Sequence, residues 1–153
     1  MGGKAQLTIV EPHMEQYLKF SKIVRSIYLR YSPEVESFGI DESWIELTGA
    51  PLLQQKTPLE IANEIRTTVK EEVGLTVSIG VSFNKIFAKL GSDMKKPDAV
   101  TVITRESFKD QIWPLPVSDL LYVGRATTEK LPHHRRSGPS GSGNANSQAW
   151  HQW

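Results

Sequence analysis

Two adjacent acidic residues, Asp41 and Glu42, stand between apolar stretches in residues 36–47, ESFGIDESWIEL. Two carboxylates that converge in a partly buried place repel each other, and the pKa of one rises unless a divalent cation neutralises the pair. Magnesium suits such a pair, because it takes oxygen ligands from one or two carboxylates and fills its other positions with water or substrate phosphates. The two acids are therefore a candidate magnesium site.

Local geometry decides whether Asp41 and Glu42 can reach one ligand. Neighbouring side chains of a regular strand point to opposite faces, so the two acids converge only at a bend or a bulge. Gly39, just before them, permits either. Strands are predicted over residues 35–40 and 43–47, which leaves the two acids as the turn of a hairpin. The alternative is a solvated hairpin tip that binds no ligand.

A second candidate is a group of lysines in residues 78–97, SIGVSFNKIFAKLGSDMKKP. Lys85, Lys89 and Asp93 are spaced by four residues and share one polar face of a predicted helix, and Lys96 follows at its end. Lysine binds phosphate as a point charge, so this group of lysines, Lys89 among them, could be presented to a triphosphate. The alternative is a solvated charged face on which Lys89 pairs with Asp93.

A third candidate is residues 120–131, LLYVGRATTEKL. The stretch predicts a short helix, a turn at Val123 and Gly124, and the start of a second helix. Backbone N–H groups at such a turn can bind the phosphates of a nucleic acid whatever its sequence. An ordinary helical hairpin is the alternative.

Seven elements must position these groups, and hydrophobic periodicity predicts them in the order helix, strand, strand, helix, strand, helix, strand. Thr57, Pro58 and Glu60 form a helix-start signature, an N-cap followed by proline and then glutamate. The order is an α+β pattern, and two helices on one face of a mainly antiparallel sheet are the simplest arrangement. The predicted ranges are helix 14–31, strands 35–40 and 43–47, helix 58–72, strand 75–82, helix 83–94 and strand 99–103.

Composition narrows the class of protein. The chain of 153 residues has the length of one domain, and its 18 basic and 17 acidic side chains leave a net charge of +1, which argues neither for nor against a nucleic-acid partner. No cysteine is present, so disulfides are excluded. No apolar run approaches the roughly 20 residues of a membrane span, and residues 1–14 lack the features of a signal peptide. A cytoplasmic location is the resulting expectation.

The segment from Pro132 onward is rich in glycine and serine and contains no acidic residue. Such a composition buries too little surface to offset the entropy of ordering it, so a disordered tail is predicted. Three of its residues are potential metal ligands, His133, His134 and His151, but their irregular spacing and the lack of a neighbouring acid favour a solvated linker.

In this order and at this spacing, the stretches resemble the palm domain of Y-family DNA polymerases, the translesion enzymes related to DNA polymerase IV. The resemblance covers residues 7–131. It implies a ferredoxin-like palm, template-directed addition of deoxynucleotides with bypass of damaged bases, two magnesium ions, and primer-template DNA and dNTP as partners. The motifs that carry it are YSPEVESFGIDESWIELTG (31–49), GLTVSIGVSFNKIFAKLGSDMKKPDAVTVI (74–103) and LLYVGRATTEKL (120–131).

The resemblance also implies roles for individual residues. Asp41 and Glu42 correspond to catalytic, metal-binding carboxylates of the family, and Lys96 corresponds to its triphosphate-contacting lysine. Residues 120–131 correspond to the start of the helix-hairpin-helix by which the family's thumb grips DNA. The residues of that turn expected to contact the DNA backbone are Gly124, Arg125 and Thr127.

The chain also departs from the family's pattern, since neither a third carboxylate on a first palm strand nor a fingers segment has a counterpart in it. The predicted organisation is a partial palm over residues 1–113, the start of a thumb over 114–131 and the tail over 132–153. We therefore expect these residues alone to be inactive, and we expect an exposed sheet edge open to self-association. The alternatives are a catalytically silent domain that binds DNA or a protein, and a nucleotide cyclase, which leaves residues 92–97 unexplained.

Overall fold

The computed structural model describes residues 7–130, and for Thr128 and Lys130 it describes the backbone alone. The chain divides into two compact units whose boundary lies between Thr48 and Gly49. The predicted tail over 132–153, with its three histidines, lies outside the described residues, and the domain boundaries placed at 113 and 131 stay predictions. Within 7–130, no helix combines the length and the apolar character needed to span a membrane.

The first unit contains helix α1 (Met14–Tyr28) and the antiparallel strands β1 (Val35–Phe38) and β2 (Glu42–Ile45). The helix ends three residues before the predicted end at Tyr31. Its last turn tightens, because the N–H groups of Arg30 and Tyr31 donate to carbonyls three residues back. Pro33 then disfavours a helical conformation for the residue before it.

Ser32 closes the open end of the hairpin. Its hydroxyl donates to the Glu46 carbonyl at 2.6 Å and accepts from the Glu34 N–H at 3.1 Å, and the residue is 4% exposed. At the other end, the rings of Phe38 and Trp44 lie diagonally across the two strands with centroids 4.9 Å apart. These contacts make the hairpin a defined support for the acids at its tip.

The tip differs from the two-residue turn predicted from sequence. Phe38 pairs with Glu42, so the loop is Gly39, Ile40 and Asp41, and Glu42 is the first residue of β2 rather than part of the turn. Gly39 adopts φ +77°, a left-handed conformation that lets the chain leave β1 at Phe38, two residues before the predicted end of the strand at Ile40.

The second unit contains helices α2 (Pro58–Val73), α3 (Lys85–Met94), α4 (Phe108–Ile112) and α5 (Arg125–Lys130) and strands β3 (Ile79–Ser82) and β4 (Val100–Ile103). Helix α2 starts as predicted: the Thr57 hydroxyl accepts from the Glu60 N–H and the Glu60 carboxylate accepts from the Thr57 N–H. It ends at Gly74, which has φ +73°. Short 3₁₀ turns occupy Pro51–Gln54 and Val117–Asp119.

The α+β class is confirmed, but the expected single, mainly antiparallel sheet is not what residues 7–130 form. Strands β3 and β4 pair in parallel, from Ile79 opposite Val100 to Ser82 opposite Ile103, and form a sheet separate from the hairpin. The physical reason is the intervening helix α3. A strand, a helix and a second strand return the chain to run in the same direction, which is the crossover that parallel neighbours require.

Helix α3 lies directly on strand β3 because glycines face each other there. A Cβ atom on Gly80 would lie 1.8 Å from the Ala88 carbonyl oxygen, and a Cβ on Gly91 would lie 3.3 Å from the Gly80 Cα. No side chain larger than hydrogen fits at Gly80. This close approach sets the position of the whole helix, including its charged face.

Leu90 of α3, Ile103 of β4 and Ile112 form a buried cluster, with partly buried aromatic and aliphatic side chains packed against it. Ile112 belongs to α4, which the sequence pattern does not predict because five residues are too few to show a helical period. The Gln111 amide ties α4 to the Val102 carbonyl of β4 at 3.2 Å.

The prediction of a short helix that starts at Leu120 is wrong. The helical turn comes earlier, at Val117–Asp119, and Leu120 caps it in an extended conformation. The left-handed residue that redirects the chain toward α5 is Tyr122, with φ +67°, whereas Gly124 does not take a left-handed conformation. The second predicted helix is present as α5.

Candidate functional site

The two acids lie where the hairpin turn meets β2. Asp41 is the last turn residue and is exposed, while Glu42 opens the strand and is half-buried. Neighbouring side chains of a regular strand diverge, and the two acids lie where the turn meets the strand rather than inside a regular strand. The position also fits the alternative of an exposed hairpin tip for Asp41.

The chemistry of the donors limits which metal the acids can bind. In the described part of the chain, no three histidine or acidic side chains come together as a metal site. Two carboxylates without nitrogen or sulfur ligands suit magnesium, which is commonly held by one or two carboxylates and completes its shell with water or phosphate oxygens. The oxygen donors of Asp41 and Glu42 therefore fit a hard divalent cation.

The predicted phosphate ligands Lys89 and Lys96 meet at Asp93. Lys89 and Lys96 each pair with a different carboxylate oxygen of Asp93, the second at 2.7 Å. The Lys89 side chain is 16% exposed and that of Lys96 is 57% exposed. The structure thus brings together two residues that the sequence places seven positions apart, and it makes Lys96 the more accessible of the two.

Asp93 keeps its negative charge in this setting. Desolvation raises the pKa of its carboxyl group, but the ion-paired hydrogen bonds from Lys89 and Lys96 together outweigh that effect and hold the pKa below its ordinary value. A cluster of two cations and one anion leaves a net positive charge at the end of α3. Such a cluster can accept a phosphate group if the phosphate takes the place of Asp93 as the partner of one lysine.

A second charged cluster was not found from the sequence. Asp98 lies two residues after Lys96. One of its carboxylate oxygens pairs with the Arg66 guanidinium and the other pairs with the Lys70 ammonium, both at 2.6 Å. Both cations belong to α2. Their separation from Asp98 by 28 and 32 residues leaves no local pattern that could reveal the contact.

The segment predicted to contact DNA borders a cleft of about 470 Å³, which is lined by Lys89, Asp93 and residues 119–124. The Arg125 side chain is 93% exposed and pairs with Glu129 at 2.8 Å. The Thr127 N–H donates to the Gly124 carbonyl at 3.0 Å and so serves the first turn of α5. Of the three predicted contacts, Arg125 is the one whose charge is presented to solvent.

The model of the impB/mucB/samB family (IMS) matches residues 4–93, more than half of the chain. The chain belongs to this family. The matched part contains the acid pair, α2, Lys89 and Asp93, and it stops just before Lys96.

Relatives of this chain are named DNA polymerase IV. The chain is 57% identical over 125 residues to the DNA polymerase IV of Acetivibrio thermocellus, an alignment that covers 82% of this chain and 31% of that protein. It is 44% identical over 122 residues to the DNA polymerase IV of Clostridium perfringens, covering 80% of this chain and 34% of the relative. The chain therefore spans about a third of the length of these relatives.

Solved structures agree with the family assignment. A DinB family error-prone DNA polymerase from Sulfolobus solfataricus superposes with a TM-score of 0.73 at 25% identity, over 81% of this chain and 37% of that one. A Y-family DNA polymerase chimera gives a TM-score of 0.67 at 25% identity, over 73% of this chain and 33% of the chimera. The resemblance to Y-family DNA polymerases read from the sequence is confirmed.

Proposed function

We propose that this chain forms part of the palm of a translesion DNA-directed DNA polymerase, where it supplies ligands for template-directed transfer of deoxynucleotides. The observation that carries the proposal is the position of Asp41 and Glu42 at the tip of a hairpin held at both ends, in a chain 57% identical to a DNA polymerase IV. A ferredoxin-like palm and a helix-hairpin-helix beginning near Gly124 belong to the same proposal.

In this proposal Asp41 and Glu42 hold magnesium. When bound there, the metal would supply Lewis-acid stabilisation of the charge that develops during phosphoryl transfer. The protein's own contribution is to keep two carboxylates adjacent at a bend, Asp41 open to solvent and Glu42 half-buried at the end of a strand. That placement leaves the remaining coordination positions for water and for the substrate's phosphates.

Lys96 and Lys89 bind the triphosphate in this proposal. Asp93 holds both ammonium groups until a phosphate arrives, so that neither lysine has to be ordered from solution when the nucleotide binds. Lys96, the more exposed of the two, contacts the phosphate directly, and Lys89 adds a charge from the helix face. Arg125, with Gly124 and Thr127, contributes a sequence-independent contact to the DNA backbone.

We expect the chain to extend a primer only within a larger protein, because its described residues bring no third metal ligand to the acid pair. The direct test is a chimera in which residues 7–130 replace the matching segment of the Acetivibrio thermocellus DNA polymerase IV. The chimera should extend a primer in the presence of magnesium and dNTP. Asp41→Asn and Glu42→Gln should each lower the rate by at least about a hundredfold, the scale on which a lost electrostatic group slows an enzyme.

A matched control is Glu34→Gln, which removes one exposed acid from the same hairpin region. The control should retain the activity of the parent chimera. A folded chimera that extends primers equally well with Asp41→Asn would refute the assigned roles. A folded chimera that binds primer-template DNA without extending it would instead support a catalytically silent DNA-binding domain. Self-association through a sheet edge stays a separate prediction, which sedimentation of the 153-residue chain can test.

A further inference from the structure

The segment from Lys95 to Asp98 is tied to two different helices. On one side, Lys96 pairs with Asp93 of α3 at 2.7 Å. On the other side, Asp98 receives Arg66 and Lys70 of α2, each at 2.6 Å. The segment that contains Lys96 is therefore held by an ion pair to α3, which precedes it, and by two ion pairs to α2, about thirty residues upstream.

The backbone is left-handed at Asp98, with φ +54°. Aspartate takes this conformation more readily than most residues with a side chain, and the ion pairs to α2 fix the side chain of the residue that adopts it. Each of its carboxylate oxygens is occupied by one cation, and Arg66 and Lys70 are four residues apart, so they share one face of α2. The contact thus holds both the direction of the Asp98 side chain and the conformation of the chain just after Lys96.

Partial burial strengthens the contact. The side chains of Arg66 and Asp98 are 25% and 19% exposed, respectively, so the attraction between their charges is less screened by water than in an ordinary surface pair. Lys70, at 56% exposure, is the outer member of the cluster. Arg66 and Asp98 form its shielded centre.

We propose that Arg66 and Lys70 are positioning residues which, through Asp98, hold Lys96 where it can bind the triphosphate of a nucleotide. The inference rests on the proposed function of Lys96. It adds a role for three residues, Arg66, Lys70 and Asp98, to which the proposed function assigns no contact with metal or phosphate, and whose mutual contact is formed only by the fold.

The decisive variant is Asp98→Asn. Asparagine tolerates the left-handed conformation, so the substitution removes the charge and leaves the backbone allowed. Loss of a negative charge near a phosphate site would by itself strengthen binding of an anion. Weaker binding by the folded variant therefore has the opposite sign to the one that simple electrostatics predicts, and it indicates a loss of positioning.

The test uses the 153-residue chain and inorganic tripolyphosphate without added metal, with the dissociation constant measured by isothermal titration calorimetry. We expect Lys96→Met and Asp98→Asn each to weaken binding about tenfold, and the double variant Arg66→Met with Lys70→Met to do the same. The matched control is Lys19→Met with Lys22→Met, which removes two exposed positive charges from α1. That control should change the dissociation constant by less than about twofold.

The outcomes separate this inference from the function on which it rests. If Lys96→Met weakens binding and Asp98→Asn leaves it unchanged or tighter, the positioning role is refuted and the role of Lys96 stands. If binding is insensitive to Lys96→Met, the nucleotide role of Lys96 fails and the positioning role fails with it.

A second measurement needs no ligand. Amide hydrogen exchange of residues 95–99 should accelerate in Asp98→Asn, while exchange in α1 stays constant. If Asp98→Asn fails to fold, Lys70→Met takes its place, because Lys70 is the exposed member of the cluster and Arg66 remains. Lys70→Met should speed exchange in the same segment and weaken tripolyphosphate binding by about threefold. Unchanged exchange and unchanged binding in Lys70→Met would refute the positioning role.

Discussion

The substitution Gly80→Ala should separate helix α3 from strand β3. The added Cβ would lie 1.8 Å from the Ala88 carbonyl oxygen, 2.6 Å from the Ser92 nitrogen and 2.8 Å from the Ala88 carbonyl carbon. All three atoms belong to the backbone of α3, so no side chain can rotate away to make room. Normal contact requires about 3.5 Å, and the helix must therefore retreat by more than an ångström.

The cost can be worked out from two contributions. Overpacking of a close contact costs about 1–3 kcal/mol, and occasionally more. Retreat of α3 also pulls Leu90 away from Ile103 and Ile112, and the loss of a large aliphatic contact in a core costs about 2–5 kcal/mol when complete. We expect Gly80→Ala to lower the free energy of unfolding by about 3–5 kcal/mol, a large share of the roughly 5–15 kcal/mol that stabilises a domain.

The assay is urea unfolding of the chain, followed by far-ultraviolet circular dichroism. Gly124→Ala is the matched control, since a Cβ there meets nothing within 4 Å and the residue is not left-handed. Its effect should stay within about 0.5 kcal/mol. Gly91→Ala should fall between the two, because its new Cβ would lie 3.2 Å from the movable Cδ1 of Ile103 and alanine favours a helix by about 1 kcal/mol.

A result within about 1 kcal/mol of the Gly124→Ala control would refute this account of the contact between helix and strand. The same displacement bears on the proposed function, because Lys89 and Asp93 stand on α3 beside the clashing residues Ala88 and Ser92. Any Gly80→Ala protein that remains folded should therefore also bind tripolyphosphate more weakly.

Three further predictions concern individual polar groups. Thr101 is 5% exposed, and its hydroxyl has no hydrogen-bond partner in the described part of the chain. Thr101→Val should therefore raise the free energy of unfolding in urea by about 1 kcal/mol. A lower free energy of unfolding would show that the hydroxyl is hydrogen-bonded. Burial raises the pKa of Tyr28 to about 12, so the unfolded state ionises first and the stability should fall as the pH rises from 10 toward 12. Urea midpoints should fall more steeply over this range in the parent than in Tyr28→Phe, and equal slopes would contradict the prediction. Hydrogen bonds from Lys70 and then Arg66 lower the pKa of Asp98 from its ordinary 3.8. The difference in unfolding free energy between the parent and Asp98→Asn should therefore be constant at pH values above the ordinary pKa and shrink as the pH falls below that pKa. A difference that persists in acid would exclude the ion pairs as its cause.

Much of the local structure was predictable from sequence because its causes lie within a few residues. Helix α2 begins at the capping box of Thr57 and Glu60 and ends at the left-handed Gly74. Each of these signals involves only residues at one end of the helix, so each can be read from the sequence. The acid pair and the four-residue spacing of Lys89 and Asp93 are equally local features. Helix α4 was missed because five residues carry too little periodic signal.

The hairpin shows where local reasoning stops. The apolar pattern places Asp41 and Glu42 together in a turn, yet the pairing of Phe38 with Glu42 moves the turn back to Gly39 and puts one acid in the strand. Register depends on which residues meet across the two strands, and here the contact of Phe38 with Trp44 and the bond from Ser32 to Glu46 hold the pair in place.

The amino-acid sequence by itself thus determined the family, the capped helix, the acid pair and the lysines that face one side of α3, since each rests on neighbours along the chain. Only the tertiary structure decided that β3 and β4 run parallel, that Lys89 and Lys96 share Asp93, and that Arg66 and Lys70 reach Asp98. The physical reason is that ion pairs and strand pairing depend on distance in space, and residues 28 to 32 positions apart become neighbours only after the helices have packed on the sheet.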